Sequence, residues 1–313
     1  MPAAADNYQA RFALRWGHLV HAHVRALAWL LDAPGLLDAD DPQWQGKVAT
    51  LAAPTLEVAR WLARLDADPS ALDGALGPRV HTRLGLYAEK LMAFYFREHG
   101  QLVAHGLQVR ASRNDTIGEF DFLLEAGPDA LEHIEFATKF YLLAGEGTRV
   151  DSFVGPNLAD SLGAKMRKIM ERQLALAAHP AAQAVLPRPV ARARALVKGW
   201  LFYPGAGGQA MAGIEAAHCR GFWCALGAVG ALAGNCFVVL PRLQWLAPYR
   251  ACAQQDTLDR AGLQAALSGL EVPALVAVVG AQDGAWIELE RGFIVPDDWR
   301  ARAAQAGRSL ANS

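Results

Sequence analysis

Residues 118–142, GEFDFLLEAGPDALEHIEFATKFYL, carry charged side chains on two predicted strands that should be mostly apolar. Side chains alternate between the faces of a strand, so Asp121 shares a face with Glu119, and Lys139 shares one with Glu135. If the strands pair with these faces on the same side, Asp121, Glu135 and Lys139 converge. Two carboxylates and a lysine are the ingredients of a Mg²⁺ (or Mn²⁺) site, where the ion would polarise a phosphoryl oxygen and activate a bound water.

The same alternation predicts an apolar face on each strand, opposite the charges. The alternative interpretation is a sheet with one solvent-facing surface, where a lysine–carboxylate pair across the strands contributes well under about 1 kcal/mol. The predicted apolar positions are Phe120, Phe122 and Leu124 on the first strand and Ile134, Phe136, Phe140 and Leu142 on the second.

A predicted helix over residues 84–100 places a third carboxylate, Glu89, before these strands. Glu89 shares a helical face with Met92 and Phe96, and a carboxylate among apolar side chains is costly unless it is paired or bound to a metal. The alternative is that Glu89 reaches Lys90 or a solvent edge. Glu119 is predicted to be a supporting acid at the strand end.

A basic stripe follows the second strand, on a helix predicted over residues 157–178. Lys165, Lys168 and Arg172 recur at i, i+3 and i+7, so they lie on one side of that helix. Such a stripe is suited to holding the polyanionic backbone of DNA or RNA, and the alternative is an ordinary solvated helix face.

The order of these segments resembles the PD-(D/E)XK nuclease-like superfamily. There, a helix with a glutamate precedes a strand with the metal-binding aspartate, often as Gly-Glu-hydrophobic-Asp, and the next strand carries Glu-X-Lys. The resemblance implies that Glu89, Asp121, Glu135 and Lys139 are catalytic and that Asp121 and Glu135 bind the metal. This chain has Ala137 where the superfamily has its lysine, and Lys139 lies about 6.6 Å further along the strand on the same face.

More narrowly, the chain resembles an uncharacterised bacterial protein family assigned to that superfamily, through E-hydrophobic-A-x-K-F-Y-L, FVGPN and VLPRLQWLAP. The resemblance implies an α/β restriction-endonuclease-like core over residues 80–204, with a mixed central sheet flanked by helices. An N-terminal helical region over 1–79 and a C-terminal α+β extension over 205–313, packed on the core, complete the expected organisation. The implied function is a metal-dependent nuclease acting on DNA or RNA. The alternative is a non-catalytic nucleic-acid-binding or assembly protein with the same fold.

The overall composition limits the partners. Lys plus Arg number 30 and Asp plus Glu number 31, which excludes a surface covered with nucleic acid but allows a local basic patch. Four cysteines in 313 residues are too few for a disulfide scaffold, and the N-terminus has no pattern of a signal peptide. A cytoplasmic location is therefore expected.

Two further segments have competing interpretations. Residues 221–240 lack charge over about a membrane's thickness, but glycines and Asn235 interrupt them, which favours a buried hairpin or helix-turn-strand over a membrane helix. His218, Cys219 and Cys224 have zinc-like spacing without a recognised finger pattern, so buried structural cysteines are expected. A single long helix is predicted over residues 8–31.

Overall fold

The computed structural model describes residues 7–78, 82–112, 115–145, 147–205, 210–252 and 257–311. Within these residues the chain is an α/β fold, in which helices flank a mixed sheet of ten strands. The predicted class, a mixed central sheet flanked by helices, is confirmed. The predicted boundary between residues 79 and 80 falls outside the described part of the chain.

Helices occupy most of the chain before the first strand, as expected from the sequence. The single helix predicted over residues 8–31 is wrong, because the Asp66 carboxylate accepts hydrogen bonds from the N–H groups of Val20 and His21 and fixes the start of a second helix. The helices are α1 Tyr8–Trp16, α2 Ala22–Asp32, α3 Leu56–Ala67, α4 Ser70–Leu76, α5 Leu84–Glu98, α6 Leu162–Lys168, α7 Pro180–Gln183, α8 Arg260–Ala266 and α9 Trp299–Ala311.

The strands form one continuous sheet. They are β1 Leu102–Ser112, β2 Asp115–Glu125, β3 Leu131–Leu143, β4 Phe153–Val154, β5 Val190–Pro204, β6 Cys219–Ala225, β7 Phe237–Val239, β8 Arg250–Ala251, β9 Ala274–Gln282 and β10 Ala285–Val295. Their spatial order is β1-β2-β3-β5-β6-β10-β9-β7, with β4 against β3 and β8 against β10. The central pairs β3–β5, β5–β6 and β6–β10 are parallel, and the outer pairs are antiparallel.

The central strand β3 is buried on both faces. Phe136 and Phe140 pack with α2 and α5, which confirms the apolar face predicted for this strand. Ala137 and Tyr141 pack on the opposite face with the apolar side of α6. That second face is therefore not a solvent surface, and Glu135 on it is only 3% exposed.

Strand β2 breaks its alternation at Asp121. Phe122 packs in the cluster that contains α5, whereas Phe120 packs with Leu123 in a separate cluster, so the shared apolar face predicted for Phe120 and Phe122 is wrong. The β1 residues that pair with Phe120 and Phe122 lie on either side of Gly106, whose φ of 64° is in the left-handed region. A left-handed glycine twists the ladder locally and re-aims the side chain opposite it.

The helix after β3 is shorter than predicted and changes its winding. Ser161 caps α6 by accepting a hydrogen bond from Ala164 N–H, so the helix begins at Leu162 and not near residue 157. After Lys168 the chain continues as a π-helical turn over Ile169–Gln173. The side of this helix that faces the sheet is apolar, since Leu162, Met166, Ile169 and Leu174 are buried and Met170 packs against them.

The uncharged segment 221–240 is not a long helix. It contains most of β6, a 3-10 segment over Leu226–Ala231 and β7. In the described part of the chain, no helix has both the length and the apolar character needed to cross a membrane.

Candidate active site

The ladder between β2 and β3 ends where the predicted carboxylates begin. The paired residues run from Glu125–Leu131 to Phe122–Ile134, so Asp121 and Glu135 come next on the two strands. Beyond the ladder, the Asp121 side chain replaces a backbone partner, because its Oδ2 accepts a hydrogen bond of 2.9 Å from the Phe136 N–H. The structure thus brings these two predicted metal ligands together at the point where the strands separate.

Both carboxyl groups are destabilised in their ionised form. Burial, followed by the charge of Glu135, raises the pKa of Asp121 to about 8. Burial also raises the pKa of Glu135 to about 7. Removal from water and repulsion between like charges both disfavour the anion, and a nearby cation would reverse these effects.

One oxygen of Glu135 is left without a partner. Its Oε1 accepts a hydrogen bond from Gln173 Nε2, but among the described residues its buried Oε2 has no hydrogen-bond partner. The Nε2 atom of His133 lies 3.7 Å from that oxygen. Burial lowers the pKa of His133 to about 4, so this imidazole is neutral near pH 7 and supplies no positive charge. A buried carboxylate oxygen without a partner is costly unless it shares a proton with a neighbouring carboxyl group or binds a cation.

Two more carboxylates approach Asp121 from α5 and from β2. One oxygen from each of Glu89, Glu119 and Asp121 lies within 4.8 Å of the others. Glu89 is held in place by His105, whose Nε2 is 2.7 Å from Glu89 Oε1. Glu89 therefore meets His105 and not Lys90, whose Nζ donates to the Leu76 carbonyl. We call Glu89, Glu119, Asp121 and Glu135 the acidic cluster.

The positive charge that acts most strongly on Glu135 comes from α6. Lys165 lowers the pKa of Glu135 more than any other neighbouring charge does, although burial has the larger, opposite effect. The Lys165 ammonium donates a 3.3 Å hydrogen bond to Oε1 of Gln173, and the amide of Gln173 donates to Glu135. Lys165 and Glu135 are thereby joined through one side chain.

Lys139 lies further from the acidic cluster, toward Asp160. Burial lowers the pKa of Lys139, the charges of Lys165 and Lys168 lower it further, and Asp160 partly offsets them. The structure thus gathers three lysines on the side of Glu135 that faces α6.

The predicted basic stripe is divided between two environments. Lys165 is half-buried and turned toward Gln173, whereas Lys168 and Arg172 are exposed. A π-helical turn is wider than an α-helical one. Gln173 therefore faces a different side of the helix from the one that α-helical spacing predicts. Gln173 and His105 are site residues that the sequence patterns did not indicate.

The zinc-like group is not a metal centre. Cys219 is fully buried, and burial raises the pKa of its thiol to about 12. The His218 ring forms a 2.8 Å hydrogen bond through Nε2 with the Tyr203 hydroxyl, and it forms a second hydrogen bond through Nδ1 with the Glu215 carbonyl. With both ring nitrogens engaged, His218 is a structural residue; the expected burial holds for Cys219, whereas Cys224 is only half-buried.

The chain matches one family model, described as "Domain of unknown function (DUF1853)", over residues 25–295. The acidic cluster, the three lysines and all strands of the sheet lie within that range. No curated protein and no solved structure matches the chain.

Proposed function

This chain belongs to the DUF1853 family, and we propose that it is a metal-dependent nuclease of PD-(D/E)XK type that hydrolyses phosphodiester bonds in DNA or RNA. One observation carries the proposal: carboxylate oxygens of Glu89, Glu119 and Asp121 lie within 4.8 Å of one another, and the neighbouring buried Glu135 has an Oε2 that lacks a hydrogen-bond partner among the described residues. Such a group of acids is unfavourable alone and favourable around a divalent cation.

The residues present fit a hard divalent ion. All four members of the acidic cluster offer carboxylate oxygen, the ligand type that Mg²⁺ and Mn²⁺ prefer. Asp121 and Glu135 would hold the ion, Glu89 and Glu119 would complete or orient its surroundings, and His105 fixes the Glu89 carboxylate. When bound, the ion would polarise a phosphoryl oxygen and lower the pKa of a coordinated water.

The lysines have separable roles in this proposal. Lys165, joined to Glu135 through Gln173, supplies positive charge beside the metal ligands, where it stabilises the negative charge that develops on the phosphate. Lys139 and the exposed Lys168 and Arg172 bind the phosphates of the strand on either side. The lysine that the superfamily carries two residues after its glutamate is thus replaced by one from the following helix.

The test is to replace Asp121 and measure two properties. Asp121→Asn keeps the size of the side chain and removes its charge, so Mn²⁺ affinity measured by calorimetry should fall by about tenfold or more. Cleavage of single- and double-stranded DNA and RNA should fall with it. Asp283→Asn is the matched control, because Asp283 is exposed in the turn between β9 and β10 and has a φ of 49°, which asparagine tolerates. Cleavage that survives Asp121→Asn would mean that a contaminant cut the substrate.

A second function is favoured by Ala137, which stands where the superfamily has its lysine. In this alternative the chain is a non-catalytic protein that binds nucleic acid through Lys165, Lys168 and Arg172 or serves in an assembly. Oligonucleotide binding measured in EDTA and in Mn²⁺ separates the two. Equal affinity in both, with no cleavage in Mn²⁺, would favour the non-catalytic protein.

A further inference from the structure

Strand β3 has an open edge beside the acidic cluster. On that side β2 pairs only with Leu131–Ile134, and β4 pairs only with Leu142–Leu143. Among the described residues, no strand covers the edge between these two ladders, and the Phe136 N–H there donates to Asp121. Successive N–H groups of a strand alternate in direction, so those of Thr138 and Phe140 point to the same open edge.

A cavity of about 410 Å³ lies against this edge. Its walls are the start of α5, the loop over residues 155–160 and the segment over residues 242–245. The loop is fixed from outside, since the Trp299 indole N–H donates a 2.7 Å hydrogen bond to the Pro156 carbonyl. Val272 and Pro273 complete the lining, so four separate parts of the chain converge on β3 around this partly open cavity.

The third wall is anchored by a buried ion pair. Arg291 and Glu288 have fully buried side chains 2.6 Å apart, and the guanidinium of Arg291 also donates to the Trp245 and Ala247 carbonyls. Arg242 stands on this anchored segment with its guanidinium 5.4 Å from the centre of the Trp245 ring. A guanidinium placed on an aromatic face keeps its hydrogen-bond donors free at the edge.

The polar groups of the cavity are mostly donors and mostly positive. Among its described lining residues, Lys139 and Arg242 are the cations and Asp160 is the only acid. Asp160 already accepts a 2.8 Å hydrogen bond from the Tyr141 hydroxyl, and no acid in the described chain forms an ion pair with Arg242. The buried Thr138 hydroxyl has no hydrogen-bond partner among the described residues.

We propose that this cavity, the Lys139–Arg242 pocket, binds a phosphate group of the nucleic acid strand that is cleaved at the acidic cluster. Its role in cleavage rests on the proposed nuclease function. A phosphate would accept hydrogen bonds from the Lys139 ammonium, the Arg242 guanidinium, the Thr138 hydroxyl and the N–H groups that point to the open edge.

The pocket is tested by direct binding in EDTA, without any metal. Thymidine 5′-monophosphate should bind and thymidine should not, as followed by titration calorimetry and by protein NMR shifts. Arg242→Gln and Lys139→Gln should each weaken nucleotide binding by about tenfold, the loss typical of a charge-assisted contact to phosphate. Thr138→Val should weaken it less and leave the protein folded, because it removes a hydroxyl that has no partner in the free protein.

The matched control is Arg97→Gln, at the other end of α5. Arg97 lies in the last turn of that helix, about 18 Å from the turn that borders the pocket, so nucleotide affinity should not change. Equal binding of thymidine and its monophosphate, or nucleotide binding unaffected by Arg242→Gln and Lys139→Gln, would overturn the pocket. Binding of an extended peptide in place of the nucleotide would overturn it in favour of strand addition at the open edge.

Failure of the pocket and failure of the nuclease give different results. Loss of Mn²⁺ binding in Asp121→Asn together with unchanged nucleotide binding in Arg242→Gln would retain the nuclease and reject the pocket. Loss of nucleotide binding in Arg242→Gln together with full Mn²⁺ binding and cleavage in Asp121→Asn would retain the pocket and reject the nuclease.

Discussion

At the scale of single residues, the acidic cluster is unfavourable for the metal-free protein. Burial raises the pKa values of both Asp121 and Glu135, and the charge of Glu135 raises that of Asp121 further, so each negative charge is held at a cost to folding. Residues selected for binding often destabilise the fold that carries them. The acidic cluster should therefore lower the stability of the metal-free protein.

Asp121→Asn should accordingly stabilise the metal-free protein while it removes metal binding. Since one unit of pKa corresponds to about 1.4 kcal/mol, we expect the free energy of unfolding in EDTA at pH 8 to rise by about 1 kcal/mol or more. Urea unfolding followed by circular dichroism measures the change. Asp283→Asn should change stability by no more than about 0.5 kcal/mol. A lower stability of Asp121→Asn would show that its bond to the Phe136 N–H outweighs the repulsion.

Lys198 on β5 is a second charge held at a cost, remote from the acidic cluster. Its side chain is 2% exposed, and it donates to the Ala33 carbonyl. Burial lowers the pKa of this lysine to about 8 from its ordinary value of 10.5. The unfolded chain therefore binds more protons than the folded chain between these two values, and stability contributed by Lys198 rises with pH across that window.

Lys198→Met should flatten this dependence. Between pH 7.5 and 10, the free energy of unfolding of the wild type should rise relative to that of Lys198→Met, by about 1 kcal/mol or more. Unfolding midpoints in urea at several pH values provide the measurement. Lys90→Met, at an exposed position on α5, should keep the wild-type slope, and parallel curves for all three proteins would contradict the assignment.

At the scale of elements, the π-helical turn after α6 shapes the site. It brings Gln173 to the place where its amide donates to Glu135 and its carbonyl oxygen accepts from Lys165. π-Helical turns inside α-helices often occur at functional sites. The turn therefore links the helix to the strand that carries the metal ligand.

Gln173→Leu should destabilise the protein by about 1–3 kcal/mol, because it leaves both oxygens of a buried carboxylate without a partner. Arg172→Leu, at the exposed neighbouring position, should change stability by no more than about 0.5 kcal/mol. Thermal unfolding of both variants in EDTA distinguishes them. Equal effects would mean that the Gln173 amide contributes nothing to holding Glu135.

The strand patterns predicted the part of the site that depends on local geometry alone. Asp121 and Glu135 come together because antiparallel pairing of β2 and β3 places them next to each other past the end of the ladder, even though β2 breaks its alternation at Asp121. The partners of Glu89 and Glu135 were not predictable, since His105 depends on how α5 packs on β1, and Gln173 depends on a change of helical winding that spacing rules do not contain. Arg242 was missed for a similar reason, because nearly a hundred residues separate it from the end of β3 at Leu143.

At the scale of the whole molecule, the strands after residue 205 continue the sheet that carries the acidic cluster. β6 and β10 are parallel neighbours, and β5 lies directly against β6. The first two helices also contact this late part, as Asn7 Nδ2 at the start of α1 donates to the Leu289 carbonyl and Arg25 on α2 donates to the Pro248 carbonyl. The wall that carries Arg242 is held by Arg291 on β10, so the late strands also position the pocket.

The position of β10 in the sheet constrains the order of events during synthesis. Its last residue is Val295, so residues up to 295 must leave the ribosome before the strand between β6 and β9 can be inserted. Until then the emerging polypeptide has an unpaired edge at β6, which invites association with other nascent chains. Synthesis therefore includes an interval, from the emergence of β6 to that of β10, in which this edge is exposed.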